Sequence, residues 1–285
     1  MLGTVQDGGL PHAACGCPRC EAARRDPARK RNVASLALIA GEPPSVFLID
    51  ATPDLRDQLH AIRDLRKAPA ERTDRMPVDG VLLTHAHIGH YLGLAFFGFE
   101  AVSTKDLPVY ASERMAAFLR DNGPWSQLVG LENIAIREIR PGEPFDLPGG
   151  LRVTPLLVPH RDEYTDTLGF VVKGPRATLL YVPDTDAWKA WTVPLPDVLR
   201  DVDVALLDGT FYSAGELPGR DVTKIGHPLM TETMDLLEPW VKSGKHVFFT
   251  HLNHSNPALD PTSSERKAIE ARGFHVLEEG QELPL

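Results

Sequence analysis

Long apolar runs are missing from this chain. No stretch approaches the ~20 consecutive apolar residues that a membrane-crossing helix needs, so no membrane partner is expected. Residues 1–20 also lack the charged-then-apolar order of a secretory signal, which makes the cytoplasm the expected compartment. The opening Met1-Leu2-Gly3-Thr4 reads as the end of a strand whose earlier residues would lie upstream, and a targeting segment there stays open. Excess positive charge is missing too. A net charge of -9 argues against a general nucleic-acid partner, and the basic stretch RRDPARKR (24–31) is expected as a solvated face. Low-complexity segments and short-period repeats are absent, so any organisation must lie in the alternation of elements.

Cysteine is scarce, and all three, Cys15, Cys17 and Cys20, fall within CGCPRC. An odd count at this spacing excludes a disulfide framework, because Cys15 and Cys17 are too close to pair comfortably and one thiol would be left over. Thiolates spaced this way suit one zinc ion, with a fourth ligand from elsewhere.

The length of 285 residues exceeds the ~100–150 typical of one domain, yet layered α/β domains run this long. One domain over 1–285 is expected, with two smaller ones the lesser alternative. Apolar runs at 35–41, 45–50, 78–84, 151–158, 177–182, 202–208 and 246–250 read as strands, several of them covered on both faces. Helices are expected over 52–67, with Thr52 as N-cap, and over 112–121, 229–242 and 263–272. Stretches 68–77, 141–150 and 211–228 read as loops, the last long enough to be lid-like. VDGVLLTH (78–85) and VDVALLDG (202–209) echo each other, which fits either chance or a sheet pair built from two similar halves.

Polar residues collect where the apolar runs stop. Asp50 follows VFLI, His85 and His87 follow VLLT, His160 follows LLVP, Asp184 follows LLYVP, and His251 follows VFFT. Groups at the ends of rigid strands are how α/β proteins assemble sites. Imidazole and carboxylate suit zinc, and iron or manganese accept them as well. Alternation in His85-Ala86-His87 aims both rings to one side, and His90 would point back from the following helix.

His85-Ala86-His87-Ile88-Gly89-His90, with Asp50, His160, Asp184 and His251 in order, resembles the metallo-β-lactamase superfamily. The resemblance implies an α/β, four-layered αββα sandwich with a one- or two-metal site at the edge between its sheets. It implies that His85, His87 and His160 ligate the first metal and His90 and His251 the second, with Asp184 bridging and Asp50 orienting a ligand. Gly89 departs from the pattern, which has an aspartate there. The second site is then left with two histidines and a shared carboxylate, so one metal, or two of unequal affinity, is expected. Asp184 remains the candidate general base. His227 could fill the gap from the long loop and contact substrate, or be a surface or helix-start histidine.

LGTVQDGGLPHAACGCPRC and THLNHSNP (250–257) resemble the branch of pyrroloquinoline quinone biosynthesis protein B and, more distantly, the phosphoribosyl cyclic phosphodiesterase of phosphonate degradation. That resemblance implies one structural zinc in a loop over 12–20, with His254 as fourth ligand by position and His12 as rival. The function implied is hydrolysis of a small molecule by a metal-activated water, with a phosphodiester as candidate substrate. Catalysis would then rest on Asp184, His251 and Asp50. The alternative is an iron-dependent oxidative enzyme or accessory protein of quinone biosynthesis. Whether the chain forms a homodimer is open.

Overall fold

The computed structural model describes residues 1–65, 75–217, 219, 221, 224 and 226–285. Five strands, β1 (Leu36–Ala40), β2 (Ser45–Ile49), β3 (Gly80–Leu82), β4 (Leu107–Ala111) and β5 (Ile134–Glu138), form one sheet in that spatial order. β1 and β2 are antiparallel, and the remaining pairs are parallel. The second sheet comprises β6 (Phe145–Leu147), β7 (Leu151–Val158), β8 (Thr167–Lys173), β9 (Thr178–Val182), β10 (Val204–Asp208), β11 (His246–Thr250) and β12 (His275–Val276). Its spatial order is β12-β11-β10-β9-β8-β7-β6, parallel from β12 to β9 and antiparallel from there on.

Side-chain alternation builds four layers. Along β2, Phe47 and Ile49 enter the core between the sheets, where they meet Leu179, Tyr181, Val204 and Leu206. Val46 and Leu48 point the other way and pack under the helices Leu55–Ile62 and Glu113–Asp121. On the far sheet, Leu180, Val182, Ala205, Leu207, Val247 and Phe249 pack under Met230–Lys242 and Ser264–Ala271. A strand sandwiched this way shows no polar alternation, which is why these runs are apolar throughout. This is the metallo-β-lactamase fold, two sheets flanked by helices. The echoed segments become β3 and β10, each with parallel neighbours on both sides in its own sheet.

Several boundaries differ from the sequence expectation for local reasons. The helix expected from Thr52 begins at Leu55, because the Thr52 hydroxyl accepts the Asp54 N–H (3.1 Å) in a turn ahead of it. Residues 66 and 67 of that expectation, and 68–74 of the first loop, lie outside the described residues. Ser112 and Ser263 cap their helices by accepting the N–H of Met115 and Arg266. The expected cysteine loop 12–20 ends inside a helix, Pro18–Arg25, with Cys17 as its N-cap. Of the lid-like segment 211–228, residues 218, 220, 222, 223 and 225 lie outside the described residues. Among the described residues, no helix is long and apolar enough to cross a membrane.

Candidate metal centre

β2 stops at Ile49, and Asp50 then turns the chain with a left-handed backbone (φ 69°), as does His251 after β11 (φ 59°). Such strain persists where the surroundings over-determine it, and here it aims two side chains at one place. The buried Asp50 carboxylate accepts the Thr84 N–H (2.8 Å), the Thr84 hydroxyl (3.0 Å) and His90 Nδ1 (2.7 Å). Thr84 has a single hydroxyl proton, so His85 Nδ1, 2.9 Å from the same oxygen, must be the donor there. His85 therefore turns a bare Nε2 inward.

The other rings divide their nitrogens in the same way. His87 Nε2 meets Glu163 Oε2 (3.2 Å), His160 Nδ1 meets Asp186 Oδ1 (3.2 Å), and His251 Nδ1 meets Thr210 Oγ1 (3.1 Å). Each ring has one nitrogen held by an outer partner, which sets its tautomer and orientation, and one directed at a common centre.

The inward atoms form two groups that share one oxygen. In the first, His87 Nδ1 is 2.9 Å from His85 Nε2 and 3.2 Å from His160 Nε2. Asp184 Oδ2 lies 3.4, 3.2 and 4.0 Å from His85, His160 and His87. Four donors bound at zinc distances to one ion stand about 3.4 Å apart, so this set has the dimensions of a coordination tetrahedron. In the second, His90 Nε2 is 3.6 Å and His251 Nε2 3.9 Å from Asp7 Oδ1, and the same rings are 3.8 and 3.9 Å from Asp184 Oδ2. Asp7 Oδ1, His90 Nε2, His251 Nε2 and Asp184 Oδ1 are all buried without a hydrogen-bond partner. Buried lone pairs facing one another are unfavourable unless a cation lies among them. The donor set therefore fits a metal.

Electrostatics point the same way. Burial opposes charge on Asp184, yet the charge of His251 and the His160, His85 and His87 nitrogens hold its carboxyl well below the usual range. Burial, then the neighbouring His90 charge, pushes His85 well down, which keeps its ring neutral and able to ligate. At His90 burial is outweighed by Asp50, with Asp7 and Asp184 adding to it, and the ring is pushed up to about 9. Carboxylates that would hold a proton on that ring favour a metal cation beside it equally well.

His227, expected to contact substrate, lies at this centre with Nδ1 2.8 Å from Asp208 Oδ2 and 3.4 Å from Asp184 Oδ1. Burial is again overcome, chiefly by Asp208, and His227 is pushed up to about 9. Asp208 is itself fixed by the N–H groups of Thr185 (3.1 Å) and Thr210 (2.8 Å).

A second cluster lies between the amino-terminal segment and the loop after β11. Cys15, Cys17, Cys20 and His254 offer one donor atom each within 4.8 Å of one another, and all three thiols are free of disulfides. His254 Nδ1 is buried without a partner. The rival, His12, instead packs at a tilt against the His254 ring (centroids 4.4 Å apart) with its Nδ1 beside the Ala13 carbonyl (2.9 Å). Burial pushes the Cys20 thiol up to about 12, with the Cys17 and Cys15 sulfurs adding to it, a crowding that a divalent cation would relieve.

A family model for the beta-lactamase superfamily domain matches residues 46–252, from the start of β2 to just beyond His251. The chain belongs to the metallo-β-lactamase superfamily. Within that superfamily it is 30% identical over 312 residues to coenzyme PQQ synthesis protein B of Rhodopseudomonas palustris (strain TIE-1), covering 100% of this chain and 98% of the relative. Crystalline Zn²⁺-bound PqqB from Methylobacterium extorquens is 25% identical and superposes with a TM-score of 0.83, over 100% of this chain and 98% of that one. A diphosphatase of the PhnP family, 22% identical with a TM-score of 0.69 over 100% and 96%, shares the fold.

Beside the metallo-β-lactamase centre opens a cleft of about 460 Å³. Asp7 and His87 line its floor, and Tyr91, Phe118, Trp125 and Tyr164 its walls. Their rings lie 4.6 to 5.8 Å apart in pairs, an aromatic surface next to hard donors. All residues expected at the centre from sequence, Asp50, His85, His87, His90, His160, Asp184, His227 and His251, are brought together here. Asp7, Glu163, Asp186, Asp208 and Thr210 were missed. The outer partners carry no spacing signal, but a motif lacking one donor at Gly89 was a reason to look for that donor elsewhere.

Proposed function

We propose that the protein is a metal-dependent hydrolase acting on a small ester or phosphodiester with an aromatic or apolar group. One observation carries the reading: two groups of inward-facing donors share Asp184 Oδ2, the second with its His90, His251 and Asp7 atoms buried without partners, and Asp7 and His87 from the two groups line an aromatic cleft. His85, His87, His160 and Asp184 would hold one divalent ion, and His90, His251 and Asp184 would contribute to a second. Such a metal supplies Lewis acidity and lowers the pKa of water towards ~7.

The chain's own groups do the rest. Asp184, buried and anionic, takes the proton of the attacking water, whose oxygen joins the phosphorus or carbonyl carbon as the bond to the leaving oxygen breaks. The proton then passes to that leaving oxygen. His227, fixed by Asp208, faces the substrate beside Asp184, while Tyr91, Phe118 and Trp125 bind its apolar part. Asp50 holds His90 directly and His85 through Thr84. Cys15, Cys17, Cys20 and His254 would hold a separate, structural zinc.

Zinc-loaded protein is expected to cleave bis(p-nitrophenyl) phosphate, and His87→Ala to lower the rate by at least about 100-fold while keeping the fold. Full metal loading without turnover would sink the hydrolase reading. A second reading draws on similarity to coenzyme PQQ synthesis protein B along the entire chain. In it the same donors hold iron in an oxidative or accessory role in coenzyme PQQ synthesis, since imidazole and carboxylate accept iron. Iron in the purified protein, lost in His87→Ala and accompanied by oxygen uptake, would favour it.

A further inference from the structure

We propose that Asp7, on the amino-terminal segment, is the carboxylate ligand of the second metal position and stands in for the aspartate that Gly89 leaves out. This deepens the metal-centre reading above and rests on it. Gly89 lies in the short helix Ile88–Tyr91 and is not among the glycines of positive φ, so backbone freedom does not explain the missing side chain. Space does. A Cβ built on Gly89 would stand 2.0 Å from Asp7 Oδ1 and 2.8 Å from its Cγ, so the Asp7 carboxylate occupies the volume a side chain at 89 would fill. The two positions are alternatives for one donor.

Three further facts support a ligand rather than an ion pair. Asp7 Oδ1 is buried without a hydrogen-bond partner, as are the two ring nitrogens it faces. The separations of 3.6 and 3.9 Å are too long for direct hydrogen bonds, yet suit atoms gathered round a common ion. The backbone also brings Asp7 there by a fixed route. Gln6 N–H donates to the Leu252 carbonyl (3.0 Å) and Leu252 N–H to the Thr4 carbonyl (2.9 Å), so the segment before Asp7 pairs with the residue after His251. On its other side, Thr4 N–H donates to Asn32 (2.9 Å) and Ala34 N–H to Val5 (2.8 Å).

The test counts zinc on the full-length protein, stripped with chelator and dialysed against zinc chloride, for the parent, Asp7→Asn, Asp7→Gly, Gly89→Asp and the double swap Asp7→Gly/Gly89→Asp. Both Asp7 variants should bind one equivalent fewer than the parent, and Gly89→Asp alone should be impaired because two carboxylates compete for one space. The double swap should regain the equivalent and the zinc-dependent rise in melting temperature. Parental zinc content in Asp7→Asn would overturn the proposal. So would a double swap that is folded by circular dichroism yet binds no more zinc than Asp7→Gly; should it not fold, the Asp7→Asn count decides alone. A parent that binds zinc at the histidines but hydrolyses nothing sinks the hydrolase reading and leaves Asp7 standing. A parent with no zinc beyond the cysteine cluster sinks both.

Discussion

The two candidate metal clusters are built across the same pair of chain segments, yet they are made differently. Asp7 and His251 belong to one, Cys15, Cys17, Cys20 and His254 to the other, so the amino-terminal segment and the loop after β11 each contribute to both. At the histidine centre, every ring is held from behind by a carboxylate or hydroxyl, and the donors share an oxygen at the floor of a cleft. At the cysteine cluster, three soft donors come from one turn and the start of one helix, and four protein atoms close the set. Closed thiolate sites hold structure, whereas sites that keep room for water do chemistry. On that contrast, the zinc proposed for the cysteine cluster would act as a staple between the segments that carry Asp7 and His251, which the Arg19 guanidinium already ties by donating to the His254 carbonyl (2.9 Å).

Cutting the staple gives the largest expected effect. Cys17→Ser should lose one zinc equivalent and lower the melting temperature by about 10 °C, since a structural metal contributes its binding free energy to folding. His254→Ala should match it. Zinc at the Asp7 side of the histidine centre should weaken in both, because their loops are freed. Unchanged zinc content and melting temperature in both variants would remove the staple.

The reverse cut should harm only the other cluster. Asp50→Asn keeps shape but loses the charge that holds His90, and with it the Thr84 hydroxyl that fixes His85. Loss of such an outer partner typically costs about 10–100-fold in metal affinity. A zinc competition titration should show that loss at the histidine centre, with the cysteine-bound equivalent retained. Equal weakening of both clusters would show that they are not separable.

The same contrast explains what could be read from the sequence. β7 and β11 have the limits that their runs implied, β11 because it is buried on both faces after His246 and β7 because its buried positions largely alternate with more exposed ones. β4 and β5 did not: Pro108 breaks the first, and the second ends in the exposed pair Arg137 and Glu138. β8 is interrupted by Gly169, where a Cβ would meet the Val182 side chain at 2.7 Å. The helix Pro18–Arg25 buries only Cys20 and Ala23, too little for an apolar stripe. Histidines at strand ends were legible because each terminates a local pattern. Asp7 was not, since it lies among glycines and meets His90 and His251 only once the segments pair.

The smallest expected effect concerns the far anchor of the Asp7 segment. Asn32 accepts the Thr4 and Val5 N–H groups, and its own N–H donates to Glu279. Burial pushes the Glu279 carboxyl up from 4.5 to about 7, against the pull of that N–H and Arg31 and helped by Asp54 and Glu278. Between those two values the folded chain keeps a proton that the unfolded chain has released, so stability falls as pH rises through the window and the penalty persists above it. Glu279→Gln keeps an acceptor for Asn32 and removes the penalty. Its melting temperature should exceed that of the parent by about 2 °C at pH 8, given the group's partial exposure, and the gain should vanish near pH 4.5. A pH-independent difference would show that the Glu279 charge does not load the anchor, leaving the backbone pairing with Leu252, Asn32 and Ala34 as what holds the segment that delivers Asp7.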